Sequence, residues 1–520
     1  MKYLFLIFFV VLSGMAGITV LTAPDTSSDV PVLYWVTDAN PARYEQVDLF
    51  HQWLIDNGYV TEDGKPIMEL RLDTASADPT KKIIQSVAGV AGDIMDCDLA
   101  QMRELGVLED VTDVARELGF DPSVTYPGVR SILEFEGRQY GFPCNVATSV
   151  MWANVDTFAQ YGMEPPPLEM DADEFERIGL EYVERANADN PAKRRFFCES
   201  LAGWQSDGVL LSMLRSSGKS FLNETMTESR LDQDSRFLDI LDRFYRWTYV
   251  YNLTPTAAQE SSFSAQAGYG GGAGLALFQT GQYGIIMRGR WGLIRVRQFE
   301  NPPNVSVSLP PTVDGGLQNL VMGSRRAGIY KGSKHKDLAA LFLAYLASEP
   351  YSAQIVKSAD ALPPLPSLAE TEEFIRPADF PNEWGVHDPI DQAARRVGIA
   401  GLSSPFVPTS YIVREVSIAR DHVMTNNPVK TPERAVADCV LAINQEIARD
   451  VAADPNKQAL YDELTETQAR IDAYRAEGRP VPLEWITNPF YRWYYVQQGW
   501  AVAPEETAQS DLESDLGGGV

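Results

Sequence analysis

Carboxylate pairs are the first place to look for chemistry in this chain. Asp96/Asp98 and Asp171/Asp173 have the kind of spacing from which glycoside hydrolysis can be built, one carboxyl acting as general acid and the other as base or nucleophile. Among 71 acidic residues such pairs arise by chance, and a solvated loop is their ordinary setting. Stronger catalytic signatures are missing. His51, His335, His387 and His422 lie far apart and outside any HExxH pattern, and the chain has no GxSxG elbow and no GxxxxGK[ST] phosphate loop. The run Gly268–Gly274 lacks the Lys-Ser/Thr that a phosphate cradle needs, so it reads as a flexible or closely packed loop. Neither an enzyme nor a cofactor is expected, and the shortage of histidine argues mildly against a directly bound transition metal.

Other function classes fall away on composition. The formal net charge is −27, which opposes nucleic acid or an anionic membrane surface as partner. With 45% hydrophobic residues the chain can bury a sizeable core, and its 520 residues suggest two or three lobes. Lys2 precedes an uncharged run from Tyr3 to Ala23, so residues 1–24 read as an export signal or an N-terminal membrane anchor. Either reading puts the rest outside the cytoplasm. No cysteine follows that run until Cys97, which argues against a lipoprotein; Cys97, Cys144, Cys198 and Cys439 lack metal-site or scaffold spacing, leaving one or two bridges or free buried thiols.

The elements that must position any site read as alternating strand and helix. Pro31–Val36 is an apolar run followed by the turn Thr37–Pro41; a helix with Val47, Phe50 and Leu54 on one face then ends at Asn57-Gly58. A strand at Ile67–Leu72, a helix from Pro79 to Val90 and a short strand at Asp93–Met95 follow. That order specifies an α/β fold with a parallel sheet. Ligands on such sheets bind beyond the carboxyl ends of the strands, which places Thr37, Asp38 and the 96–98 segment on one rim.

Four passages then resemble the extracellular solute-binding proteins of ABC importers, in the maltodextrin-binding branch. They are Gly137–Pro143 with Met151–Phe158, Gly162 and Pro165–Pro167; Leu277–Trp291; Ser308–Pro310 with Gly323–Ile329 and the helix Lys334–Ala347; and Ser404–Pro408 with the helix opening at Thr431-Pro432. The resemblance covers about residues 30 to 450, in the family's order and spacing. It implies a periplasmic-binding-protein type II fold: two discontinuous α/β lobes around a ligand cleft, closing by hinge motion on a ligand that a membrane permease then receives. Lobe 1 is expected from residues 30–140 and 288–330, lobe 2 from 145–284 and 331–454, and hinges at 140–144 and 284–288.

The implied ligand is a carbohydrate, probed by aromatic planes against C–H faces and by carboxylates or amides against hydroxyls. Expected contacts are Trp35, Asp38, Asp96, Asp98, Asn145, Trp204, Asp207, Trp291 and Tyr411, with Arg290 pairing with an acid in the cleft or gripping an acidic sugar. ABC permease subunits are the implied partner, the binder itself being a monomer touching the membrane only through its N-terminal segment. A sensing module for a membrane receptor, a secreted carbohydrate-active enzyme and a non-sugar solute remain open alternatives. Beyond the resemblance, residues 455–502 form a helical and aromatic extension expected to dock on the second lobe, and the acidic tail 503–520 is expected to be disordered.

Overall fold

The structure, a computed structural model, describes residues 28–189, 194–201, 206–267, 273–313, 315–426 and 429–502. The expected leader or anchor, the glycine run 268–272 and the acidic tail lie outside them. Among the described residues, no helix is long and apolar enough to cross a membrane.

The strands that build the two lobes are β1 (Val32–Val36), β2 (Glu69–Asp73), β3 (Ile94–Asp96), β4 (Phe142–Thr148), β5 (Val150–Asn154), β6 (Phe196–Cys198), β7 (Tyr283–Arg288), β8 (Val305–Ser308), β9 (Leu320–Ile329) and β10 (Gly398–Ala400). The first sheet runs β10-β9-β3-β1-β2, with β4 also paired to β9. Within it β1 is parallel to β2 and β3, while β9 is antiparallel to β3 and β4. The second sheet runs β8-β5-β7-β6.

Each sheet carries its own core. Leu33 and Trp35 are fully buried under Phe50 and Leu54 of the helix Ala42–Asp56, and Phe342, Tyr345 and Tyr351 complete that cluster. Phe175, Tyr182, Phe197 and Trp247 centre the second, which the helices Thr409–Val423 and Pro432–Ala453 cover through Ile412, Val416 and Ile443. These are the i, i+3, i+4 faces that apolar burial selects. The result is two discontinuous α/β lobes around a cleft, with a helical C-terminal region.

The expected boundaries need correction. Phe142–Cys144 lie inside β4, and the chain passes from the first sheet to the second at Thr148–Val150, then back between Ser308 and Leu320. Residues 284–288 lie in β7, buried and paired on both sides. The glycines that suggested hinges serve close packing: a Cβ at Gly141 would strike the Ala327 carbonyl, and one at Gly284 would strike the Tyr182 ring. Strand β8, expected in lobe 1, pairs with β5 of the second sheet. The helices Lys336–Leu346 and Glu349–Ser358, expected in lobe 2, bury Phe342, Tyr345, Tyr351 and Ile355 against the first sheet.

The extension begins with the helix Pro455–Ala476, capped at Asp454, whose side chain accepts from the Asn456 amide. Its Ile471 joins Val481, Ile486, Phe490 and Tyr495 over Ile399 of β10. Asn488 donates to the Leu222 and Asn223 carbonyls, and Arg230 pairs with Asp472 at 3.0 Å, which ties this region to the second lobe. All four cysteines are free thiols.

Candidate functional site

A cavity of about 770 Å³ opens where the carboxyl ends of β1 and β3 face the second lobe. One wall holds Asp38, Asp96, Asp98, Lys82, Arg325 and Arg326; the other holds Ser403, Ser404, Pro408, Thr409, Ser410 and Asp454. Apolar patches come from Ile83, Met102, Leu105 and Val407. The described wall contains no aromatic side chain.

Asp96 closes β3 and is the hub of the first wall. Its carboxylate accepts from the Trp35 indole N–H at 2.7 Å, the Thr37 hydroxyl at 2.5 Å and Arg325 Nη1 at 2.9 Å. Lys82 donates to its backbone carbonyl. Arg325 also reaches Asp360 at 3.3 Å, and Asp360 is held by Arg43 at 2.5 Å, which in turn pairs with Asp38 at 3.0 Å. Burial opposes ionisation of Asp360, but Arg43 and Arg325 outweigh it and hold the carboxyl below its ordinary range. Opposite charges and hydrogen bonds make these buried ionic groups tolerable, and Arg325 Nε is the one atom of its guanidinium left without a partner among the described residues. The network fixes the orientation of the groups that remain free to meet a ligand.

Adjacent Arg325 and Arg326 both line the cavity, and the β9–β4 register shifts between them, Arg325 pairing with Asn145 and Arg326 with Pro143, so that Cys144 is the extra residue on β4. Arg326 Nη1 donates to the Ser324 carbonyl at 2.8 Å and its Nη2 stands 3.6 Å from Asp98. Asp98 caps the helix Leu99–Glu104 by accepting from the Ala100 and Gln101 amides, with its side chain about half exposed.

Of the expected contacts, the structure brings Asp38, Asp96 and Asp98 together in the cavity wall. Trp35 is fully buried, and its ring packs on Phe342 at 4.8 Å, so it orients Asp96 and presents no platform. Asn145 is buried behind Arg325, donating to Asp360 and accepting from the Arg325 amide. Tyr411 stands next to Ser410, but its ring packs on the second core under the Arg414 guanidinium, 4.3 Å away. Trp291 is half-buried over Gly289 and does not border the cavity. Trp204 and the side chain of Asp207 lie outside the described residues.

Arg290 requires a correction. It is fully buried and donates to the carbonyls of Ile355 (3.2 Å), Val356 (2.8 Å) and Ala361 (2.8 Å) and to His387 Nδ1 (2.9 Å), with Phe374 4.4 Å from the guanidinium. Two of those carbonyls, Ile355 and Val356, belong to the last turn of Glu349–Ser358, where intrahelical donors run out; Val356 also accepts from the Ala359 amide. Burial, with Arg297 nearby, pulls this guanidinium down to about 9. It neither pairs with a cleft acid nor faces a ligand.

Sequence reading passed over Lys82, Arg325, Arg326, Lys457 and the Ser404–Ser410 hydroxyls. One signal was available: two adjacent arginines sit in the middle of the strand Leu320–Ile329, between Leu320–Met322 on one side and Ala327 and Ile329 on the other.

The profile of the bacterial extracellular solute-binding protein family matches residues 62–353, more than half of the chain. The chain belongs to that family. No curated protein sequence matches this solute-binding protein. Among solved structures it is similar to an ABC substrate-binding protein of Listeria monocytogenes in complex with cycloalternan, with TM-score 0.62 and 18% identity, covering 81% of this chain and 100% of that one. The sugar-binding protein MalE of Xanthomonas citri gives TM-score 0.62 and 18% identity, covering 80% of this chain and 98% of that one. Maltose-bound MalE3 of T. maritima gives 0.61 and 18%, covering 81% and 99%. These likenesses show that the solute-binding protein has the type II binding-protein fold.

Proposed function

We propose that this solute-binding protein captures a carbohydrate between its lobes, on the outer side of the cell membrane, and delivers it to an ABC permease. The observation that carries the reading is the cavity itself. Its volume of about 770 Å³ suits a ligand the size of a short oligosaccharide, since small-molecule sites span roughly 300–1,000 Å³. Asp38 and Asp98 accept hydrogen bonds, Arg326 donates them, and the Ser404, Thr409 and Ser410 hydroxyls do both. A polyol is the ligand class that needs donors and acceptors mixed at this density. With no aromatic ring in the described wall, selectivity rests on hydrogen bonds, while Ile83, Met102, Leu105 and Val407 cover the C–H faces. The solved relatives bound to cycloalternan and maltose support the same class. Nothing in this chemistry makes or breaks a bond; closure of the lobes is the event a permease reads. Delivery by a monomer tethered or released outside the cytoplasm belongs to the same proposal.

Thermal shift against mono- and oligosaccharides, uronates included, tests it. A ligand at a hundredfold excess over its Kd stabilises the folded state by about 2.7 kcal/mol, so one sugar class should raise Tm distinctly. A panel in which every sugar leaves Tm unchanged contradicts the carbohydrate reading.

A further inference from the structure

Lys457 belongs to the extension, outside the residues that match the family, yet it lines the cavity. Its ammonium lies 3.3 Å from Glu104 on the first wall and 2.6 Å from Asp450 on the second. Among the ion pairs made by the cavity's own described residues, Lys457–Glu104 is the one that joins the two walls; Asp38–Arg43, Asp96–Arg325 and Asp98–Arg326 each stay on one side. The three groups are between 21 and 34% exposed, so water screens the pair only partly.

Both ends of this bridge are held in place. Glu104 ends the short helix that Asp98 caps, so a pull on Glu104 acts on the cavity face that carries Asp98. Lys457 sits in the first turn of Pro455–Ala476, and that helix is fastened to the second lobe by Gln468 to Thr225 and Glu224 and by Asp472 to Arg230.

We propose that the C-terminal extension is part of the binding device, with Lys457 a positioning residue that draws the Glu104 wall towards the second lobe and favours the closed cleft. The inference rests on reading the cavity as the ligand cleft, but its first test needs no ligand. Small-angle X-ray scattering of the ligand-free full chain compares the native protein with Lys457→Met, Glu104→Gln, the double variant and Lys457→Arg. The expected result is a larger radius of gyration for each single charge-removing variant, no further increase in the double variant, and a native value for Lys457→Arg. Where a sugar ligand has been found, the single variants weaken its binding about two- to fivefold, the worth of one partly exposed ion pair, with Tm nearly unchanged. If Lys457→Met fails to fold, Glu104→Gln on the opposite wall carries the same comparison. Scattering curves that superimpose for all variants overturn the proposal, whether or not any sugar binds.

Discussion

Two buried arginines hold the same short segment, Ala359–Ala361, and only one of them serves the cleft. Arg325 reaches it through the Asp360 carboxylate at 3.3 Å, while Arg290 reaches it through the Ala361 carbonyl at 2.8 Å. The segment is costly on its own: Ala359 and Ala361 take φ of 59° and 68°, a left-handed conformation that costs a non-glycine residue about 1–2 kcal/mol. Around Arg325, burial lowers the guanidinium, but the Asp96 and Asp360 carboxylates outweigh it and push it above its ordinary value. Around Arg290 the acceptors are neutral carbonyls and a histidine, so burial wins and pulls it down. The difference lies in what each arginine is asked to satisfy. Arg325 neutralises acids that shape the cavity; Arg290 supplies donors to a helix end and has little capacity left for a ligand.

Removing either arginine should therefore break the protein in a different way. Arg325→Met takes the cationic partner from buried Asp96 while Asp360 keeps Arg43, and losing one partner of such a network costs about 3–5 kcal/mol; denaturant unfolding should show this loss, and ligand affinity should fall with it. Arg290→Met leaves the buried Ile355 and Ala361 carbonyls unpaired, which costs about 2–6 kcal/mol at about 1–3 per group. The folded fraction of Arg290→Met should bind ligand with native affinity. Equal loss of affinity in both variants would erase the distinction drawn here.

A pH titration sharpens the comparison further. His387, fully buried, accepts from Arg290 and faces Glu383 at 3.5 Å. Burial lowers its pKa from 6.5 to about 4, so the folded state keeps it neutral while the unfolded state takes up a proton. Its contribution is complete above pH 6.5 and is lost as pH falls towards 4, with a slope of at most about 1.4 kcal/mol per pH unit. His51, also lowered by burial, adds a slope of the same sign, so the quantity to measure is the difference between the native protein and His387→Gln between pH 6.5 and 5. The variant should show the flatter curve; parallel curves would remove His387 as the source. The smallest effect belongs to Asp38→Asn. Its side chain is 49% exposed and its partner Arg43 keeps Asp360, so unfolding free energy should change by less than about 1 kcal/mol.

Local pattern made part of this molecule legible. The apolar runs of β1 and β3 and the Val47–Phe50–Leu54 face tell where strands and helix lie, and the rim rule for parallel sheets places Asp38, Asp96 and Asp98 on one side of the sheet. Lobe membership was not legible, because it depends on pairings such as Ala327 with Asp96, far apart in sequence. The apolar face of Lys336–Leu346 says that the helix packs, but not on which sheet. Trp35 looked like a stacking platform because nothing local shows that its indole N–H is claimed by Asp96. Arg290 beside a motif tryptophan looked like a ligand contact for the same reason. The second wall was hidden differently: Leu460, Leu464, Ile471 and Tyr474 mark the extension helix as amphipathic, whereas Lys457 enters the cleft only because that helix folds back from Asp454.

The most direct test is calorimetric titration of the full-length protein with the sugar that raises Tm, comparing Asp98→Ala with Trp291→Ala. If the cavity between Asp38, Asp98, Arg326 and Thr409 is the binding site, Asp98→Ala weakens binding at least tenfold while Trp291→Ala leaves it within about twofold, about 1.4 kcal/mol separating a tenfold change from none. The reverse order, with Trp291 essential and Asp98 silent, would move the site out of this cavity and contradict the assignment.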